Sequence, residues 1–133
     1  MIRVVAGAVI EGARVLVARR GPGMSHAGLW ELPGGKVEAG EDDATALARE
    51  LLEELGIRVS VHDAIGTSRV IAEGIHIEMH AYRCRITDGS PVAFEHAALD
   101  WLEAGALSDL SWAPADIPLI TALTRALGTT SQC

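Results

Sequence analysis

GKVEAGEDDATALARELLEELGI, residues 35–57, holds an apolar-periodic helix whose stop is marked in the sequence. Apolar residues recur with a period near 3.6 between Asp43 and Leu55, which places Ala44, Leu47, Ala48, Leu51 and Leu55 on one stripe that has to be buried. Gly56 ends the helix, because a glycine just past the last helical residue takes the left-handed conformation without penalty. Glu50, Glu53 and Glu54 stand at i, i+3 and i+4 on a different face, where like charges repel by roughly 0.2–0.5 kcal/mol per pair. A positive group is therefore expected among them. Upstream, Pro33-Gly34-Gly35 reads as a turn that brings bare backbone carbonyls close to the helix. Carboxylates and carbonyls together suit a hard divalent cation, Mg²⁺ first and Mn²⁺ as a fitting substitute. Alone, the glutamates would more often be a solvated helix face than a site; the adjoining turn changes those odds.

Working outward, 133 residues suit one domain with a real core, spanning 1–133 and ending in a frayed tail at about 128–133. Alternating and apolar runs predict strands at 3–10, 14–18, 59–70, 75–85 and 98–102, and helices at 43–55 and 117–127, with a helical turn near 103–107. Strands mixed with two substantial helices predict an α/β fold with a mixed sheet covered on both faces. No 18-residue apolar run is present, so no membrane association is expected. The net charge of −7 argues against a nucleic-acid polymer as partner. Cys84 and Cys133 are too far apart for a zinc knuckle and suggest no disulfide framework; with no signal-type N-terminus, a reducing cytoplasm is the expected compartment.

The spacing of Gly35, Glu41, Arg49-Glu50-Leu51, Glu53-Glu54 and Gly56-Ile57 resembles the complete box of the Nudix hydrolase superfamily, with no fixed position departing from it. Trp30 to Lys36 resembles the entry to that box in MutT-like members, and the segment from Glu95 through Trp101 to Asp116 resembles their C-terminal half, so the likeness covers nearly the whole chain. It implies the Nudix fold, an α/β/α sandwich around a central mixed β-sheet. It further implies that Glu50, Glu53 and Glu54 are metal ligands together with the Gly34 carbonyl, while Gly35, Glu41, Arg49 and Gly56 serve the architecture of the box. Glu95, six residues before Trp101, stands where MutT-like enzymes carry a further ligand or general base. The base is left open among Glu53, Glu54 and Glu95. Arg20 and Lys36 match basic positions near the substrate phosphates, and bound cations would reconcile an acidic chain with a polyanionic substrate.

Trp112-Ala113-Pro114-Ala115-Asp116 resembles the segment that reads the nucleobase in these enzymes. Asp116 stands where the CTP pyrophosphohydrolase branch has Asp and the oxidised-guanine branch often has Asn. An ionised carboxylate only accepts hydrogen bonds and so leans toward cytosine's amino group, whereas a protonated one serves an oxidised purine. Before Ile117-Pro118, Asp116 also reads as a helix N-cap. Trp30 and Trp112 suit either stacking on a base or core packing. His76, Glu78, His80 and Tyr82 share one face of a strand and read as the polar lining of a nucleotide cleft rather than a zinc site. His62 and His96 are expected to be exposed, and His26 lies in a loop near Trp30.

The resemblance implies a Mg²⁺-dependent nucleoside triphosphate pyrophosphohydrolase, monomeric or homodimeric, acting on CTP, dCTP, 5-methyl-dCTP or 8-oxo-dGTP in nucleotide-pool sanitation and DNA repair. A hydrolase of ADP-ribose-like nucleotides and a noncatalytic nucleotide sensor are the alternatives; the intact set of box carboxylates argues against the sensor.

Overall fold

The computed structural model describes residues 1–128. Its backbone is a seven-stranded mixed sheet built on β1 (Ile2–Glu11). β1 runs parallel to β6 (Ile75–Asp88), from Ile2 opposite Ile77 to Val9 opposite Cys84. β6 returns antiparallel to β5 (Arg58–Ala72) through Glu73 and Gly74, both at positive φ, the conformation that two-residue hairpin loops need. On its other side β1 pairs with β2 (Arg14–Arg19) at one end and with β4 (Gly34–Lys36) at the other. β2 also pairs with β3 (Trp30–Glu31) and β7 (Ala98–Glu103).

Alternation along β1 splits the core between two helices. Val5 and Val9 pack with Leu16 under α1 (Asp43–Leu55), whose Ala46, Leu47, Leu51 and Leu55 are buried. Ala6 and Ala8 pack with Val15, Val17 and Ala81 under α2 (Ile117–Gly128), through Leu119, Ile120 and Leu123. Each of these leucines contributes roughly 1.5–3 kcal/mol by burial, so α1 is held chiefly by its apolar side. Asp42 caps its N-terminus by accepting from the Thr45 N–H at 2.8 Å, and Gly56 closes it at φ 70°.

Four expectations change. Ala46, not Ala44, joins the buried cluster with Leu47, Leu51 and Leu55, and Ala44, in the first turn, is exposed. Pro33-Gly34-Gly35 enters strand β4 instead of forming a turn, and Trp30 and Glu31 form a strand that alternation over so short a run could not reveal. The helical turn near 103–107 is a longer 3-10 segment, Ala104–Asp109. Gly128 belongs to α2, and the rest of the expected tail lies outside the described residues.

Candidate active site

The acidic face of α1 is organised by one arginine. Arg49 grips Glu41 with two donors, Nε to Oε2 at 2.8 Å and Nη2 to Oε1 at 2.9 Å. Its Nη1 reaches Glu50 at 3.0 Å and Glu53 at 3.3 Å. Its Nη2 also donates to the Lys36 carbonyl at 3.0 Å, and Glu38 lies 3.2 Å away. The repulsion along the helix is thus offset from within the box. Glu41 is held at a pKa of about 2, first by the Arg49 bonds and then by the Glu38 N–H, so it stays ionised.

Strand β4 presses glycines into this corner. A Cβ on Gly35 would overlap the Glu50 carboxylate, and one on Gly34 would overlap the Val5 carbonyl. The β1 ladder uses the Pro33 carbonyl, which accepts from Gly7 N–H at 2.8 Å, and the Val37 N–H, which donates to Arg3 at 3.0 Å. Because backbone groups alternate sides in an antiparallel pair, Gly34 and Lys36 turn theirs away from β1. The Lys36 carbonyl is taken by Arg49; the Gly34 carbonyl points out on the same side of the strand.

Glu54 behaves differently from its neighbours. Its Oε2 is buried and has no hydrogen-bond partner, and its pKa is pushed up to about 7 by burial. Repulsion from Glu50, Glu31 and Glu95 adds to this, and only His96 opposes it. His96 is a correction: its side chain is 1% exposed, and its Nε2 donates to Glu31 Oε2 at 2.7 Å. That bond and the charges of Glu31 and Glu54 raise the imidazole pKa against burial. His96 Nδ1 is buried without a partner. Glu31 in turn binds the Arg20 guanidinium, which also donates to the Ser25 backbone carbonyl and, at 3.0 Å, to the Ser25 hydroxyl. Arg20 is therefore already engaged, and any phosphate contact would share it with these groups.

Asp116 is tied to the residue that follows Glu31. It is 2% exposed, accepts from the Leu32 N–H at 2.9 Å, and has a pKa raised to about 7, mainly by burial. Its Oδ2 reaches across to Leu32, a tertiary contact that joins the residue before α2 to the end of β3. Trp30 and Trp112 adjoin through backbone bonds, Trp30 N–H to Ser111 and Ala113 N–H to the Trp30 carbonyl. Both pack partly against the α2-side core, and the Trp112 indole donates to the Leu107 carbonyl at 2.7 Å.

Glu95 and Lys36 are exposed, as is Glu53 at 59% of its side chain. Among the described residues no three carboxylate, imidazole or thiol groups converge as a preformed metal cage. The donors nonetheless fit a hard cation chemically: Glu54 has an unused buried oxygen, Glu50 lies against Gly35, and the Gly34 carbonyl is turned outward. A cation would compete with Arg49 for Glu50 and Glu53.

Sequence reasoning did not assign roles to Glu31 or His96. Their pairing spans 65 residues, and the only local signal was Glu31 inside the Trp30–Lys36 stretch. His76 and Glu78 line a surface pocket with Met1, Arg69 and Ile71, apart from the glutamates of the box, while Glu78, His80 and Tyr82 form a polar network with Arg3 and Asp43 at the start of α1.

A family model described as NUDIX domain matches residues 1–123. The chain is 48% identical over 127 residues to a Mycobacterium tuberculosis protein named, provisionally, 8-oxo-dGTP diphosphatase 2, covering 93% of this chain and 89% of that one. It is 40% identical over 122 residues to the CTP pyrophosphohydrolase of Escherichia coli, covering 92% and 90%. Among solved structures, that of the E. coli ORF135 protein matches with a TM-score of 0.84 and 38% identity over 99% of this chain and 94% of the other.

Proposed function

Since the chain belongs to the Nudix family, as a MutT-type pyrophosphohydrolase, we propose that its reaction is the Mg²⁺-dependent hydrolysis of a nucleoside triphosphate to monophosphate and pyrophosphate. The observation that carries this reading is the Glu54 carboxylate: buried, short of one partner, and beside the Arg49-ordered Glu50.

Glu50, Glu53, Glu54 and the Gly34 carbonyl would hold the cation, with Glu95 approaching from its loop. When bound, such a cation supplies charge neutralisation at phosphoryl oxygens and acidifies water. The chain's own groups do the rest. Arg49 fixes Glu50 so that the carboxylate is in place before substrate arrives. One carboxylate among Glu53, Glu54 and Glu95 takes the proton of the attacking water, and the Glu54 oxygen that has no protein partner anchors the cation beside it. Lys36 is free to meet the leaving phosphates, since its ammonium projects into solvent while its carbonyl anchors Arg49.

Asp116 is the base-reading group, with Trp30 and Trp112 as its apolar surround. As an acceptor it favours the amino group of CTP, dCTP or 5-methyl-dCTP. Its pKa of about 7 supports a second reading as well: the protonated acid donates, which suits an oxidised guanine such as 8-oxo-dGTP. These substrates fit clearance of modified nucleotides from the cellular pool.

The test is a panel of CTP, dCTP, 5-methyl-dCTP, 8-oxo-dGTP, dGTP and ADP-ribose with Mg²⁺, scored for pyrophosphate against phosphate release. Pyrophosphate release led by a cytosine or oxidised guanine nucleotide is expected. Turnover of ADP-ribose alone would contradict the proposal.

A further inference from the structure

We propose that His96 is a positioning residue that ties the base-reading side of the site to its hydrolytic side, an inference that rests on the functional reading above. The segment at residues 89–97 is fastened at both ends. Val92 N–H donates to the Leu55 carbonyl at the end of α1 at 2.9 Å, and Ala97 N–H donates to Arg19 at 2.8 Å. Gly21 leaves no room for a Cβ against the Glu95 carbonyl. Between these anchors Glu95 faces solvent and His96 faces inward.

A carboxylate can only accept, so the imidazole Nε2 donates to Glu31 at 2.7 Å. Arg20 holds the other oxygen of Glu31, and the N–H of the next residue, Leu32, holds Asp116. His96 is also the chain neighbour of Glu95, in a segment fastened to the end of α1. The imidazole therefore anchors the segment that carries Glu95, with Glu31 and Leu32 as the link to Asp116. A base seated on Asp116 sets the position of Glu31, and His96 passes that position to the segment that carries Glu95. Discrimination between bases is then expressed in kcat more than in KM.

The test compares His96→Leu, which keeps bulk and removes the donor, with His96→Gln, whose amide N–H reaches the place of Nε2. H96L should lower kcat about 30-fold with KM within about threefold, because a misplaced site costs rate before it costs binding. Its preference among the nucleotide panel should flatten, while H96Q recovers most of both. Nitrogen-15 NMR of the metal-free protein should show an exchange-protected imidazole Nε2–H that is lost in Glu31→Gln. An active wild-type chain whose H96L and H96Q variants differ only in melting temperature would overturn the inference alone. A missing Nε2–H signal would also overturn it. A wild-type chain inert toward every nucleotide would overturn the functional reading and this inference together.

Discussion

The two ends of helix α1 each gather carboxylates around an arginine, and they treat them in opposite ways. At the N-terminal end Asp43 accepts from Arg3 Nε at 2.7 Å and Nη2 at 2.6 Å, and from the Tyr82 hydroxyl. Glu78 is met by Arg3 at 3.3 Å, Arg69 at 3.0 Å and His80 at 2.6 Å, and the Thr67 hydroxyl lies 3.3 Å from the other His80 nitrogen. Each acid there is matched by a donor. At the C-terminal end Arg49 serves four glutamates, yet Glu54 Oε2 and His96 Nδ1 are buried with no partner. Leaving such atoms unpaired costs roughly 1–3 kcal/mol each. One helix thus carries Asp43 at a pKa of about 2 and Glu54 at about 7. The contrast separates a cluster whose acids are all matched from one that leaves two buried polar atoms without a partner, atoms that the proposed function would pair with cation and substrate.

The largest effect that would sharpen this contrast is expected from Glu54→Gln. Removing a carboxylate that the proposed function assigns to the cation should lower kcat about a thousandfold, roughly 4 kcal/mol of barrier. The same change should stabilise the metal-free protein. Because the folded pKa of Glu54 lies above its ordinary value of 4.5, wild-type stability falls as pH rises from there through about 7. The amide escapes that loss, so E54Q should exceed wild type by on the order of 2 kcal/mol at pH 8 and match it near pH 4 in urea titrations. Equal stability at pH 8 would break the comparison.

Gly35→Ala comes next. Its methyl group drives the Glu50 carboxylate off its seat, and kcat should fall about a hundredfold, as misplacement by an ångström does. Steady-state kinetics on folded variant, with fold checked by circular dichroism, decides it.

Asp116 offers a pH-dependent intermediate effect. Its folded pKa of about 7 means the acceptor form prevails above that pH and the donor form below. The ratio of kcat/KM for CTP to that for 8-oxo-dGTP should rise about tenfold between pH 6 and 8, the worth of one hydrogen bond of about 1.4 kcal/mol. Asp116→Asn should flatten this profile and shift preference toward the oxidised purine.

The smallest effect is expected at the complete cluster. Asp43 has a depressed pKa, so its contribution is present above the ordinary value of 3.8 and is lost as pH falls toward 2. After screening by solvent, Asp43→Asn should cost about 1 kcal/mol at pH 7. Its kcat/KM should stay within about twofold of wild type, since Asp43 and Glu78 are already matched by donors within the protein. A hundredfold loss of activity would erase the distinction between the two ends.

What the sequence revealed followed from local periodicity. Helix α1 was legible because the leucine spacing and Gly56 are local signals, while the Asp42 cap emerged only in the structure. The long strands were legible by alternation, although Val59–Val70 and Ile75–Arg85 extend further because each pairs with the other. Strand β4 was hidden because glycines carry no side-chain pattern; its shape is imposed by β1 and Glu50. His96 was misread as exposed because its burial depends on Glu31, and Asp116 was open to an N-cap reading because Leu32 lies 84 residues away. The box named its acids in sequence, but which of them would be left short of a partner depended on long-range packing.

Divalent cation binding tests the central claim most directly. Titration calorimetry with Mg²⁺, and with Mn²⁺ followed by electron paramagnetic resonance, should be run with a non-hydrolysable CTP analogue on wild type, E54Q and Asp43→Asn. The account predicts that E54Q loses at least about tenfold in cation affinity, roughly 1.4 kcal/mol, while Asp43→Asn binds as wild type does. Undiminished binding by E54Q, or equal losses in both variants, would contradict it.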